Sequence, residues 1–370
     1  MFGFGFWIYN GVFQNFLSDQ MHAGPLALGQ LEALREIPGL LAALMAGLLV
    51  TFAEARIAAV GLLLGGIGIG LSGEFSHYWG LVAITVFWSI GFHLYSSVAP
   101  AITLSLTRAG EGGHSLGKMQ GLGSLATLLA LSLAWGLSLM PRLHGVYRPY
   151  FWIAGVAIAI SAGLCFLIRT HGPHVPRARL ILRKEYGLFY LLTLLEGCRR
   201  QIFSIFASYT LIKIYHVPLD RMLVLQLINA ILIWITAPQM GRIIDRIGER
   251  PPLMFYGLAL ITVFVGYATT HSVVVLCILF LLDNVLFSFS VGFTTYLHRI
   301  VRPGEMTPCL AMGVTMNHVA AVTVPVAGAY LWERYHNYQV PFWVGVAIAG
   351  ITCIATAYLP KGVAPVTATN

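Results

Sequence analysis

Charge is what this sequence has least of. Asp, Glu, Lys and Arg make up 10% of its 370 residues, where a soluble domain carries about 25%. That shortage excludes a fold wetted on all sides, and the 58% hydrophobic content and mean hydropathy of +0.79 point the same way. An integral helical membrane protein is the class that remains. Acids are scarcer still, 14 against 22 bases, giving a net charge of +8. In a membrane chain that balance reports topology, and no basic patch interleaved with aromatics suggests nucleic acid. The five cysteines lack metal-knuckle spacing and read as small core residues. No basic n-region of a signal peptide precedes the first apolar stretch, which holds Tyr9, Asn10, Gln14 and Asn15. No serine-protease, zinc-protease or phosphate-loop constellation stands in a usable place, so neither an enzyme nor a cofactor is expected. The run Gly65-Gly66-Ile67-Gly68-Ile69-Gly70 imitates a nucleotide loop but lies inside a spanning helix, where small residues serve helix packing.

What is present is a series of long apolar stretches. A membrane-crossing helix needs about 20 mostly apolar residues. Breaks at charges, Gly/Pro clusters and turns predict twelve spans, near 2–18, 29–52, 57–73, 78–106, 116–140, 149–169, 187–213, 219–241, 252–270, 272–298, 306–332 and 340–359. The longest hydrophilic connection, 170–186, separates an N-terminal six-helix bundle (1–169) from a C-terminal one (187–360), with a tail at 361–370. Fourteen of the 22 Lys and Arg fall on the linker's side, six on the other and two inside a span. The bias places both termini and the linker in the cytoplasm, and a bacterial inner membrane is the expected location.

Between spans 8 and 9 stands Gly241-Arg242-Ile243-Ile244-Asp245-Arg246-Ile247-Gly248-Glu249-Arg250. This string resembles the G-x-x-x-D-R-x-G-x-R signature of the major facilitator superfamily, found between helices 2 and 3 and often again between 8 and 9. The first-half copy, Gly47 to Arg56, keeps the leading glycine and final arginine, with Thr51 in place of the acid. Superposing Gly241 on Gly47 also sets His216 on His22. The resemblance implies an all-α fold of two pseudo-symmetric six-helix bundles and secondary transport of a small molecule by alternating access. It gives Gly241, Asp245, Arg246, Gly248 and Arg250 a gating role, with Asp245 near the start of helix 5 around Ser115–Lys118. The G-P-x-x-G-G pattern of many drug/proton antiporters is missing: helix 5 has Gly117, Gly121 and Gly123 but no proline.

Ionisable groups inside a bilayer cost at least about 2.5–3.5 kcal/mol each, so each needs a reason. Glu196 with Arg199 and Arg200 lies mid-span 7, Asp283 with Asn284 mid-span 10, His93 in span 4, and Asn317-His318 in span 11. The family places helices 1, 4, 7 and 10 around a central cavity, 2, 5, 8 and 11 beside it, and 3, 6, 9 and 12 toward lipid. The polar residues follow that order. The functional expectation is that Arg199, Arg200, Asn10, Gln14, Asn284 and His93 bind an anionic or amphiphilic organic solute, while Glu196, Asp283 and His318 carry a coupled proton. The structural alternative is a self-cancelling cluster: Glu196 pairing with an arginine on its own helix, Asp283 with the second across the cavity. Glu32, Arg35 and Glu36 read either as an outer gate with Glu333 and Arg334 or as surface ion pairs. The implied partners are a small solute, protons and membrane lipid, with the chain a monomer.

Two other readings stay within the same fold. Cys198, Met312, Met316 and His318 offer soft ligands for iron or copper, and the family's iron exporter ferroportin uses a helix-7 cysteine and a helix-11 histidine. Against this, His318 is about 200° round the helix from Met316, and a Met/Cys stripe is usually packing. A lipid flippase is the other.

Overall fold

The computed structural model describes residues 1–41, 53–107, 112–168, 182–302 and 305–360. Most of the eroded motif copy, most of the linker and the tail fall outside these. Among the described residues there is no strand, and twelve helical spans follow one another. They are α1 (Phe2–Asp19), α2 (Pro25–Leu40), α3 (Glu54–Leu71), α4 (Tyr78–Ser105), α5 (Gly112–Ser138) and α6 (Arg148–Phe166). Next comes α7 (Gly187–Gln201), which runs on through a π-helical turn, Ile202–Ala207, into Ser208–Lys213. Then follow α8 (Leu219–Ile247), α9 (Arg250–Thr269) and α10 (Val273–Phe287), which passes through a 3-10 turn, Ser288–Ser290, into Val291–Ile300. The last two are α11 (Met306–Tyr335) and α12 (Gln339–Ala357).

Nine of these, among the described residues, are by length and composition apolar enough to cross a membrane. The exceptions are α1, α2 and α7. They hold Asn10, Gln14 and Asn15, then Glu32, Arg35 and Glu36, then Glu196, Arg199 and Arg200. α2 is described over only 16 residues, shorter than a membrane crossing, whereas in α1 and α7 the polar groups lower the hydropathy.

The chain forms two compact units, residues 1–176 with 216–230 and residues 177–215 with 231–370. In the first, α3 packs along α4 and α6, and α1 along α5 and α6. In the second, α9 packs along α12, and α7 along α11 and α12. The shared pattern is an internal repeat that the sequence shows only faintly.

Small residues set the closeness of the α3 contacts, as the glycine run predicts. A Cβ placed on Gly155 would lie 2.5 Å from the Gly70 Cα and 2.6 Å from the Gly66 carbonyl oxygen, and one on Gly68 would meet Trp88. In lipid, such close backbone approach replaces the hydrophobic drive that water would supply. Three histidines, His22, His216 and His336, take left-handed conformations with φ of 48°, 51° and 49°. They end α1, α7 and α11, so the His22/His216 match has a geometric counterpart: the first and seventh spans close with the same turn.

One boundary differs from expectation. Span 8 does not stop at 241. The helix continues to Ile247, and only Gly248, with φ of 81°, and Glu249 form the turn before Arg250 opens α9. Nothing between 241 and 247 breaks a helix, whereas Gly248 tolerates the left-handed end and Pro251 suits a helix start. Glu249 is buried and ion-paired to Arg299 at the end of α10.

Beside it, the linker's end is fastened. Arg183 donates to Glu305 at 2.7 Å, the Tyr186 hydroxyl to Glu305 at 2.6 Å, and Arg302 to Glu185 at 2.7 Å. The Tyr186 hydrogen bond, aided by Arg183, holds the Glu305 carboxyl below the usual carboxylate range.

Two outcomes follow from these contacts. Gly155→Ala forces a methyl against backbone that cannot move aside, and should cost about 1–3 kcal/mol, read as a lowered unfolding temperature in detergent. A lowered folded-state pKa stabilises above the unfolded value, about 4.3 for Glu, and that stability is lost as pH falls further. Glu305→Gln should therefore lower thermal stability at neutral pH, with the gap to the parent closing as the pH drops below about 4. A gap unchanged by acid would contradict this role of the Glu305 contacts.

Candidate functional site

In the second unit an arginine is enclosed by two acids. Arg199 donates through Nη1 to both oxygens of Asp283, at 2.9 and 2.7 Å, and through Nη2 to Glu196 Oε1 at 2.5 Å. The side chains are 3%, 3% and 9% exposed, so all three are inside the bundle. Helix geometry sets the first contact, since residues three apart lie on one face of α7. Packing of α10 beside α7 sets the second. The Tyr256 hydroxyl of α9 makes a very short hydrogen bond to Glu196 Oε2. The guanidinium groups of Arg199 and Arg200 each stand 5.4 Å from the ring centre of Phe287 of α10.

This corrects two expectations. The two acids do not divide between two arginines: Arg199 takes both, and Arg200, one residue on and about 100° round the helix, is exposed. Nor does Arg199 line an open space, being 2% exposed as a residue. Only Arg199 of the two arginines belongs to the Glu196–Asp283 cluster. Tyr256, on a helix assigned to face lipid, was missed. Every helix has an inward stripe, and the only sequence signal was a carboxylate in want of a donor.

The other predicted residues divide between the units. In the first, the Asn10 amide donates to the Phe6 carbonyl at 2.9 Å, Gln14 is half-buried, and His93 is buried with Nδ1 2.9 Å from the Ser89 carbonyl. In the second, Asn284 donates to Phe280 O at 2.8 Å and His318 is half-buried. Cys198 is half-buried and Met312 buried, and among the described residues no group of three close His, Cys, Asp or Glu ligands contains Cys198. Met316 is half-buried. Of the gating residues, Asp245 and Arg246 are exposed, Gly241 and Arg250 half-buried and Gly248 buried.

The α2 charges are not surface pairs. Glu32 is 4% exposed, and Arg35 binds it at 2.5 Å while reaching Glu36 at 3.4 Å. Ser89 of α4 donates to the Arg35 carbonyl at 2.5 Å, and the Arg35 guanidinium stands 6.0 Å from the Trp88 ring centre.

Removing the cation from a buried set leaves its acids uncompensated. Arg199→Met should cost about 3–5 kcal/mol in thermal unfolding at neutral pH and less under acid conditions, where the carboxylates can take protons. A small loss, equal at both pH values, would show that the acids do not depend on this arginine.

The family model described as Major Facilitator Superfamily matches residues 189–369. No curated protein matches the sequence. Among solved structures, the nucleoside transporter NupG superposes with a TM-score of 0.76 at 13% identity, covering 97% of this chain and 96% of that one. A bacterial homologue of the iron transporter ferroportin gives 0.77 at 17%, covering 96% and 95%. The D-xylose-proton symporter gives 0.75 at 15%, covering 97% and 95%. Residues 189–369, which hold the Gly241–Arg250 signature, thus match the major facilitator superfamily, and the chain as a whole has the fold of these solved membrane transporters.

Proposed function

We propose that this transporter moves a small anionic or amphiphilic organic solute, coupled to protons, with both termini in the cytoplasm of a bacterial inner membrane. The observation that carries the reading is the division of labour between adjacent arginines. Arg199 is paired with Asp283 and Glu196, while Arg200 is exposed beside it with its guanidinium near Phe287. An exposed guanidinium in a spanning helix suits a carboxylate or phosphate, which it can grip with two parallel hydrogen bonds. Asn10, Gln14, His93 and Asn284 supply further polar contacts in this scheme, and His318 is a second proton carrier.

Proton coupling rests on charge counting. One guanidinium cannot neutralise two carboxylates, and a surplus negative charge in a low-dielectric interior is costly. A proton taken up by this pair of acids would remove the surplus. Its arrival and departure change the bonding between α7 and α10, which gives the solute's movement a chemical partner. The signature segment from Gly241 to Arg250 serves as the gate on the linker side.

A thermal-shift screen of metabolites finds the solute, because a ligand of the folded state raises apparent stability. Arg200→Gln should then weaken its binding about tenfold or more, about 1.4 kcal/mol. Asp283→Asn should keep binding but make flux into proteoliposomes independent of pH. Normal pH dependence in Asp283→Asn would remove the coupling role, and unchanged affinity in Arg200→Gln the anion contact.

A further inference from the structure

Half of the sequence's 12 histidines recur at one kind of place. The connections that join α1 to α2, α3 to α4, α5 to α6, α7 to α8, α9 to α10 and α11 to α12 hold one each: His22, His77, His144, His216, His271 and His336. All six are exposed. These connections are short, the longest being 139–147, and their only fixed charges are Glu74 and Arg142. Successive spans alternate in direction, so the connections lie at the span ends away from the linker.

Side-chain contacts show that the connections meet within each unit. In the first, Gln20 donates to the Gly145 carbonyl at 2.7 Å, Arg148 to the Gly73 carbonyl at 3.2 Å and Tyr78 to the Ala27 carbonyl at 2.9 Å. In the second, the Tyr215 and Tyr338 hydroxyls lie 2.8 Å apart, and Tyr338 is 3.5 Å from His271 Nδ1. Among the described residues, His271 alone of the six has a side-chain hydrogen-bond partner. The surrounding charges nearly cancel. Neighbouring helix ends hold Asp19, Asp220 and Glu333 against Arg148, Lys213, Arg221 and Arg334. Of these, Asp19 accepts the Tyr147 hydroxyl, and Arg148 pairs with Glu74 at 3.6 Å.

Dispersal decides what such imidazoles can do. Among the described residues, no three His, Cys, Asp or Glu ligands from these connections lie close enough to share a metal ion. Their common property is charge, since imidazole is neutral in alkaline and cationic in acid water, changing over between about pH 5 and 8. Lysine or arginine at these places would oppose insertion with the linker in the cytoplasm, because fixed positive charge holds short connections on that side. Histidine leaves insertion undisturbed at neutral pH and supplies positive charge afterwards.

We infer that the ends away from the linker are anion-attracting surfaces switched on by acid, and that they gather the transported solute there, which rests on the anionic reading given above. Several like charges on one face raise the encounter rate of an oppositely charged molecule by about tenfold or more.

The local potential is measured without any solute. Ser76→Cys and Ser272→Cys place an exposed thiol beside His77 and His271, one in each unit. In nanodiscs of zwitterionic lipid, each is reacted with an anionic and with a cationic methanethiosulfonate of similar size, and the unsubstituted protein corrects for the native cysteines. The ratio of the two rates cancels the ionisation of the thiol and reports the potential. In low salt the anionic-to-cationic ratio should rise about threefold or more from pH 8 to pH 5.5. It should fall back in 1 M salt, where charges are screened within about 3 Å.

Removing the imidazoles should flatten this response. His77→Gln, His144→Gln and His271→Gln are combined with His22→Asn, His216→Asn and His336→Asn, because asparagine tolerates the left-handed backbone of the last three. A response that survives in this variant, or that is absent from both thiols of the parent, overturns the inference. Should the sixfold variant fail to fold, His77→Gln and His271→Gln alone must each weaken the response of the thiol beside it, and an unchanged response overturns the inference. A response at both thiols together with a cationic solute leaves the acid-switched surface standing and removes the anionic reading instead.

Discussion

A charge inside a bilayer must be answered by the protein itself, and most of what is specific to this chain follows from that constraint. Lipid offers neither water nor counter-ions, so every buried ionic group needs a partner at hydrogen-bond distance. Arg199 meets this need with Asp283 and Glu196, and Glu196 in turn takes the Tyr256 hydroxyl. These contacts draw α7, α9 and α10 together at one level of the second unit. Glycine contacts set the spacing of helices, but they work wherever two small surfaces meet. The ionic contacts fix which residues face one another, because an error of one position would leave a charge unpaired.

The architecture was legible because it depends on long-range averages. Twelve spans emerge from apolar run lengths, and hydropathy tolerates a mistaken boundary. The end of span 8 was misplaced for a physical reason: charged residues such as Arg242 and Asp245 suggest a loop, yet they sit comfortably on the last turns of a helix that leaves the membrane. The left-handed glycine, Gly248, was the better marker of the end. Likewise, the glycines of α3 gave their packing role away, but not that Gly155 would be the partner, since the meeting of two distant helices is not written in either one.

The candidate site was legible as a set of residues and not as a set of bonds. Glu196, Arg199, Arg200 and Asp283 stood out because each is expensive in a spanning helix. Which arginine takes both acids depends on the rotation of α7, about 100° per residue, and no local pattern fixes that phase. The α2 triad was underestimated for the opposite reason. Its charges lie near a predicted span end, where surface exposure is the ordinary expectation, yet α4 packs along α2 and Glu32 is buried.

Helix regularity gives the triad a mechanical meaning. The π-helical turn of α7 begins at Ile202, just after Arg199 and Arg200, and the 3-10 turn of α10 begins at Ser288, just after Asp283. A π turn gives up the regular i to i−4 ladder and a 3-10 turn tightens it, so both are places where a helix can change direction at low cost. The two helices joined by Arg199 thus each carry a break on the same side of the joint in sequence. Bonds between Arg199 and the acids hold the segments before the breaks, and the π turn itself is held by apolar contacts such as Phe206 with Trp332. Because the two spans run in opposite directions, the breaks flank the joint from either side, and the ionic bonds of Arg199 sit between the two places where the regular helical ladder is interrupted.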